Sequence, residues 1–347
     1  MDEKLTYYNG DRLRNSVDIN GNRPEIFIVE SNRTAGKTTD FAKFLIDRFI
    51  KRGEKFAVLV RWQYEATNFA EAFFKSVQGL FFPEYELTQK MIEKKYCELY
   101  LNDKDCGYLI PINSAEFIKR RSHLFNDITS IFFDEIQPEN NGYVPDELNK
   151  FFSIHTSIAR GEHQQVRYVP VYMCSNSVSL LNPYYNALGV VTRLNSKTKF
   201  LRGDGWVLER NFNESAQKAQ KASGFNRAFS AVSYSDYSSE SVYLRDNEAF
   251  LTLPKGRGQY VATIRFDSRK YAIWMYANEN IMTCDYRVDD DYPVKISATV
   301  QDHTEQYMLI GGAGFIKERM RRYFINGNFR FKDLACKSAV LMALSYK

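Results

Sequence analysis

An apolar run, Ile26-Phe27-Ile28-Val29-Glu30, passes directly into Ser31-Asn32-Arg33-Thr34-Ala35-Gly36-Lys37-Thr38, and no other stretch of the 347 residues limits the fold as tightly. A short apolar run bounded by polar residues reads as a buried parallel strand. From Thr39 onward apolar residues recur at helical spacing through Phe41, Phe44, Leu45 and Phe49, so strand, loop and helix follow in turn. The loop matches G-x-x-x-x-G-K-[ST] except that Ser31 stands where the first glycine would be. Gly36 lets the backbone approach phosphates, and the amides of 34–38 can form an anion nest at the helix start. Ser31, Arg33, Thr34, Ala35, Gly36, Lys37, Thr38 and Thr39 are therefore the candidate nucleotide-binding residues. Lys37 reaches the β and γ oxygens, and the Thr38 hydroxyl can ligate Mg²⁺. Taken alone, Gly-Lys-Thr also fits a plain surface turn.

A second apolar run, Ile128–Phe133, ends in Asp134-Glu135. An acid at the carboxyl end of a parallel strand stands at the crevice where α/β sheets bind ligands. Asp134 is expected in the Mg²⁺ shell and Glu135 as the carboxylate that orients the attacking water. In this order the two motifs read as the Walker A and Walker B halves of an ATPase site using ATP and Mg²⁺. Further strands are expected at 55–61, more weakly at 108–112, and at 166–174, where Pro170 lies inside the run. Asn176, just past that last strand, is placed like a γ-phosphate sensor; Ser175-Asn176-Ser177 suits a helix or turn cap equally well. The acidic pair and the extra strand resemble the additional-strand, catalytic-glutamate division of P-loop ATPases.

Three regions follow from the pattern. Residues 1–205 form an α/β P-loop ATPase domain with a mostly parallel sheet, opened by a polar lead-in over 1–24. Residues 206–243 read as a lid helix (214–224, ending in glycine) and a Ser/Tyr-rich linker. Residues 244–347 form a smaller α+β domain. There the period becomes two over 259–266, 270–277 and 281–286, with turns at 267–269 and 278–280, and helices are expected near 305–324 and 333–345. Hydrophobic content of 44% and 26% charged residues are ordinary for a globular chain. No stretch approaches the ~20 apolar residues of a membrane span, and the N-terminus lacks the features of a signal peptide. The five cysteines are scattered, odd in number and without a C-x-x-C pair, so they read as reduced thiols of a cytoplasmic protein, and the four histidines show no metal spacing either. A net charge of +5 permits polyanion binding without requiring it.

The stretch with Phe133-Asp134-Glu135, Tyr143-Val144-Pro145-Asp146-Glu147, Ala159-Arg160, Val166-Arg167, Ser175 to Ser179 and Asn182-Pro183-Tyr184 resembles the genome-packaging ATPases of phi29-like phages. So does the basic, aromatic tail from Phe324 to Phe331. The resemblance runs from the loop at Gly36 to near the C-terminus. It implies a homo-oligomeric ring docked on the portal of a procapsid, in the host cytoplasm, driving double-stranded DNA inward. It implies that Arg160 serves as an arginine finger in a neighbour's nucleotide site and that Arg121, within Lys119-Arg120-Arg121, acts in trans. Without it, Arg160 reads as a solvated helix end and 119–121 as a solvated face. Two departures stand out: Ser31 itself, and the loop 137–141, which lacks the lysine found in relatives.

For the last domain the resemblance implies an RNase H-like relic of a nuclease, with a packaging RNA or the portal as partner. Asp267, Asp285, Asp289, Asp290, Asp291, Asp302 and Glu305 could compose a metal-dependent nuclease site. Alternatively, Asp267 makes a hairpin turn and 289–291 a solvated loop. Lys317, Arg319, Arg321, Arg322, Arg330 and Lys332, interleaved with Tyr323, Phe324, Phe329 and Phe331, suit phosphate contacts with stacking. They suit the solvated face of an amphipathic helix as well. Two rival functions remain open on sequence: a terminase-like motor with a live nuclease, and an ATP-binding assembly scaffold that hydrolyses little.

Overall fold

The computed structural model describes residues 7–139, 142–160, 165–178, 182–190, 193–194, 198–211, 218, 222–228, 253–326 and 328–345. The chain divides into two compact units, residues 1–188 with 194–245, and residues 189–193 with 246–347.

Among the described residues of the first unit, nine strands form one sheet. They are β1 (Ile26–Glu30), β2 (Lys55–Val60), β3 (Leu87–Ile92), β4 (Tyr96–Leu101), β5 (Lys104–Pro111), β6 (Ile128–Phe133), β7 (Val171–Ser175), β8 (Phe200–Gly203) and β9 (Trp206–Arg210). Their spatial order is β3-β4-β5-β2-β6-β7-β1-β9-β8. The run from β5 to β9 is parallel, and antiparallel strands β3, β4 and β8 close the two edges. β7 lies between β1 and β6, so one strand separates the phosphate-loop strand from the acidic one. The middle strands are buried almost throughout, because helices cover both faces. Helix Lys37–Arg52 docks through Phe41, whose ring stands 5.6 Å from Phe132 on β6 and 5.4 Å from Tyr172 on β7. The helix stops at Gly53, which adopts φ 68° and lets its amide bond back to the carbonyl of Phe49.

Several expectations change here. The strand expected over 166–174 starts only at Val171, because Pro170 lacks the N–H the ladder needs. The hairpin β3–β4 went unforeseen, although its turn residues Glu93 and Lys94 both take positive φ, as do Asn102 and Asp103 between β4 and β5. Paired positive φ at Asn102-Asp103 is the two-residue hairpin geometry whose twist matches the strands, whereas the β3–β4 loop holds three residues, 93–95. The lid and linker expected to open at 206 opens instead on β9, which pairs in parallel with β1. Of the lid helix over 214–224 only residues 218 and 222–224 are described, with a short helix at Gly224–Ala228; the linker at 230–241 lies outside the described residues.

The second unit has a six-stranded sheet of its own: β10 (Gln259–Phe266), β11 (Arg269–Tyr276), β12 (Ile281–Asp285), β13 (Lys295–Ser297), β14 (Met308–Leu309) and β15 (Phe329–Phe331). The order is β14-β13-β10-β11-β12-β15. The expected meander β10–β11–β12 is antiparallel, while β13, β14 and β15 join in parallel. Helices Gly314–Ile325 and Leu334–Ser345 bury Ile316, Met320, Cys336, Ala339 and Val340 among Ile264, Ile273 and Met282. The helix expected from 305 starts only at Gly314. Gly311 and Gly312 interrupt the run, and 308–309 is strand. No described helix is long and apolar enough to cross a membrane.

Candidate active site

β1 delivers the chain into the loop 31–36, where Thr34 takes φ 60° and Gly36 φ 90° before the helix begins. A Cβ on Gly36 would also come within 3.3 Å of the Tyr7 side chain. The buried Lys37 ammonium donates to Ser31 Oγ at 2.8 Å, the Asn32 carbonyl at 3.1 Å and Asn176 Oδ1 at 3.0 Å. Ser31 is thus more than a tolerated replacement for glycine: its hydroxyl is one of the oxygens that hold the lysine. The Ser31 amide donates to the carbonyl of Ser175 at 3.1 Å, tying the loop to the end of β7.

Across the cleft, Thr38 Oγ1 donates to Asp134 Oδ2 at 2.7 Å. Asp134 Oδ1 accepts the amide of Glu135 at 3.0 Å, and Glu135 takes φ 53°. Desolvation at the cleft floor raises the Asp134 carboxyl above its ordinary range, with Thr38 and Lys37 opposing. Glu135 is raised too, by desolvation first and then by the charge on Asp134. Its side chain reaches solvent at the cleft mouth, so water screens much of that shift. Desolvation lowers the Lys37 ammonium, against the pull of neighbouring acids. Gly36, Lys37, Thr38, Asp134, Glu135 and Asn176 all line one cavity of about 900 Å³. A hydroxyl beside a carboxylate is the hard-oxygen pair that suits Mg²⁺, which takes one or two protein ligands and fills its octahedron with phosphates and water. The nest and the lysine suit a polyphosphate.

The remaining sequence candidates divide. Arg33, Thr34, Ala35 and Thr39 line the same cavity, and Arg33 pairs with Glu139. Arg160 lies exposed just past helix Glu147–Ile158 and does not line the cavity. Arg121 does not either. It pairs with Glu93 at 2.8 Å and lies over the Phe117 ring.

Three groups escaped the sequence reading. Arg61, at the end of β2, donates to the carbonyls of Glu135 (2.6 Å) and Ile136 (2.8 Å) and to Glu147 Oε2 at 3.1 Å. Glu147 in turn accepts from the Val144 amide and the Tyr184 hydroxyl. This buried cluster holds the backbone on which Glu135 sits. A second cluster surrounds Glu30, which accepts from Arg210, Ser177 and Tyr185 and so joins β1, β9 and the segment after Asn176. The lead-in is the third. The Tyr8 amide donates to the Ala35 carbonyl at 2.8 Å, and its hydroxyl reaches Glu209. The signals available in a mostly polar lead-in were the aromatic pair Tyr7-Tyr8 and the apolar Leu13.

Among the described residues, the carboxylates of the second unit do not gather into one group. Asp285 is buried and accepts from Trp274 Nε1 and from the backbone and side chain of Arg287. Asp302 accepts the amides of Asp267 and Ser268 and the Thr299 hydroxyl, capping the β10–β11 turn. Asp290 pairs with Lys270, and Asp289 and Asp291 are exposed. Among the described residues no group of three His, Cys, Asp or Glu side chains is arranged to hold a metal. The aromatic interleaving of the tail also proves different from expectation. Phe329 and Phe331 stack on each other in the core, 5.1 Å apart, because β15 turns them inward. Arg321, Arg322 and Lys332 remain exposed, while Lys317, Arg319 and Arg330 are half-buried.

Residues 1–345 match the family described as Podovirus DNA encapsidation protein (Gp16). The DNA packaging protein of Bacillus phage phi29 is 24% identical over 337 residues, covering 96% of this chain and 95% of that one. The fold matches a chain of the bacteriophage phi29 viral genome packaging motor assembly with a TM-score of 0.64 at 22% identity, over 98% of this chain and 97% of that one. It matches the phi28 gp11 DNA packaging motor equally, TM-score 0.64 at 14% identity, over 98% of both chains.

Proposed function

The chain belongs to the Podovirus DNA encapsidation protein (Gp16) family, and from that premise we propose how it works as the ATPase of a DNA-packaging motor. The convergence of Lys37, Thr38, Asp134, Glu135 and Asn176 on one cavity carries the proposal. ATP lies with its β and γ phosphates over the amides of 34–38. Lys37 exchanges Ser31, Asn32 and Asn176 for phosphate oxygens, and Asn176, released from the lysine, turns its amide toward the γ-phosphate. Thr38 and Asp134 would hold Mg²⁺, which when bound would neutralise negative charge on the triphosphate. Glu135 accepts a hydrogen bond from the attacking water and sets it in line with the breaking bond. Positioning and electrostatics do most of the work, since phosphoryl transfer needs little covalent help.

Arg160 enters the nucleotide site of the next copy in a ring, as an exposed cation outside its own cavity can. Such a heterologous contact couples neighbours, and a trans arginine accelerates phosphoryl transfer by ~10³-fold or more. Arg121 is the secondary trans candidate, at the cost of its pair with Glu93. The ring sits at the portal of a procapsid in the host cytoplasm, with double-stranded DNA in its channel. In the second unit, the meander β12-β11-β10 continued by parallel β13 and β14 follows the strand order of an RNase H-like sheet. With Asp285 engaged by Arg287 and Trp274 and Asp302 by turn amides, the unit is read as a vestigial nuclease. Its exposed Arg321, Arg322 and Lys332 then face nucleic acid or the portal.

Steady-state ATPase activity with and without double-stranded DNA, in mixtures of wild type with Glu135→Gln or Arg160→Ala, tests this. DNA stimulation with more-than-proportional poisoning by either variant is the expected result. Turnover indifferent to DNA and falling only in proportion to variant content would reduce the chain to an independent nucleotide switch, as a scaffold requires.

A further inference from the structure

The cavity extends beyond the phosphate loop to a flank of different chemistry. Tyr7 from the lead-in, Leu80 and Phe81 from the end of helix Ala66–Phe81, and Phe225 from the short helix Gly224–Ala228 all line it. These side chains are far from buried. Tyr7, Leu80 and Phe225 are 70%, 72% and 73% exposed and Phe81 40%. Large apolar side chains from three separate stretches, turned to solvent around one opening, mark a binding surface rather than scattered exposure. The two charged groups on the same flank are already committed. Asp40 accepts from Arg14 at 2.5 Å and from the Gly10 amide, and Lys43 pairs with Asp47 at 2.6 Å with its ammonium over the Phe81 ring.

Resting on the nucleotide reading of the phosphate end, we infer that Tyr7, Leu80, Phe81 and Phe225 form the base subsite, gripping the adenine of ATP by its faces. A heterocycle offers two flat, weakly hydrated faces, and aromatic and aliphatic side chains recognise these without reading the polar edge. The placement also gives the lead-in a purpose. The Tyr8 amide is fastened to the Ala35 carbonyl beside Gly36, so the ring of Tyr7 is carried to the nucleotide by the phosphate loop itself. Base stacking contributes about 1–3 kcal/mol per base by alanine substitution, which is about fivefold to 150-fold in affinity.

The test compares two probes on the full chain, ATP and inorganic tripolyphosphate, by titration calorimetry. Tyr7→Ala and Phe225→Ala are each expected to raise the Kd for ATP about tenfold while leaving that for tripolyphosphate within about twofold. Tyr7→Phe, which keeps the ring, is expected to bind ATP like wild type. An ATP affinity unchanged in both alanine variants would overturn the subsite, and so would ATP and tripolyphosphate weakening together. In either case tripolyphosphate binding by wild type would leave the phosphate end standing. A wild-type chain that binds neither probe would overturn the nucleotide site itself, and the subsite with it.

Discussion

At the scale of single residues, Glu135 and Gly36 illustrate two different demands. Glu135 is proposed to act only after ATP is bound, so Glu135→Gln keeps shape and hydrogen bonds but removes the charge that orients water. Turnover is expected to fall by about 10²-fold or more with ATP affinity within a few-fold of wild type, read by single-turnover hydrolysis beside equilibrium binding. Gly36 acts earlier, on the shape of the loop. At φ 90° a side chain is strained, and its Cβ would press on Tyr7 at 3.3 Å. Gly36→Ala should cost about 1–3 kcal/mol in chemical denaturation and weaken ATP binding. An alanine variant as stable and as tight as wild type would show that the loop is softer than its geometry implies.

At the scale of elements, β2 and its neighbours position Glu135 from outside the motif. Arg61 and Glu147 are both buried, and the arginine holds the two carbonyls that follow Asp134. Glu147→Ala leaves an unpaired buried cation and is expected to destabilise the chain by about 3–5 kcal/mol in denaturant melts. Replacing both by methionine should recover only part of that stability: the unpaired cation is gone, but the Val144 amide, the Tyr184 hydroxyl and the two carbonyls lose their partners. Turnover should not recover, because the Glu135 and Ile136 carbonyls lose their donor. Recovery of both would assign the pair a purely structural role. The same strand meets β5 so closely at Gly107 that a Cβ there would lie 2.0 Å from the Phe56 carbonyl oxygen. Backbone cannot yield as a side chain does, so Gly107→Ala should disrupt the β2–β5 pairing and leave little folded protein in the soluble fraction.

At the scale of the whole molecule, each unit has its own apolar core, and all five cysteines are buried within them. Burial pushes the Cys97 thiol up to about 11 and raises Cys106, Cys174 and Cys284 as well. A thiol must be reached and ionised to react, and all five are buried, so a disulfide reagent at pH 8 should react with none of them in the native chain and with all five in guanidinium. Fast reaction of the native chain would show that a unit opens readily. The second unit should not cut plasmid DNA with Mg²⁺ or Mn²⁺, because a two-metal site needs carboxylates drawn together, and Asp285 and Asp302 are tied to Arg287 and turn amides instead. Cleavage that disappears in Asp285→Asn would restore the live-nuclease reading.

What the sequence determined by itself is local. The strand–loop–helix around Lys37, the apolar run into Asp134-Glu135 and the meander at 259–285 were legible because period and residue type are written within a few neighbouring positions. The tertiary structure alone decided which distant groups meet. Arg61 and Glu147 are 86 residues apart, and Arg210 and Glu30 are 180 apart; no local pattern distinguishes such residues from surface charges. It also decided that β7 separates β1 from β6, that β9 belongs to the sheet, and that Asp285 faces an arginine. A charge or an aromatic ring carries the same local signature on a surface as in a core, and only packing assigns it a partner.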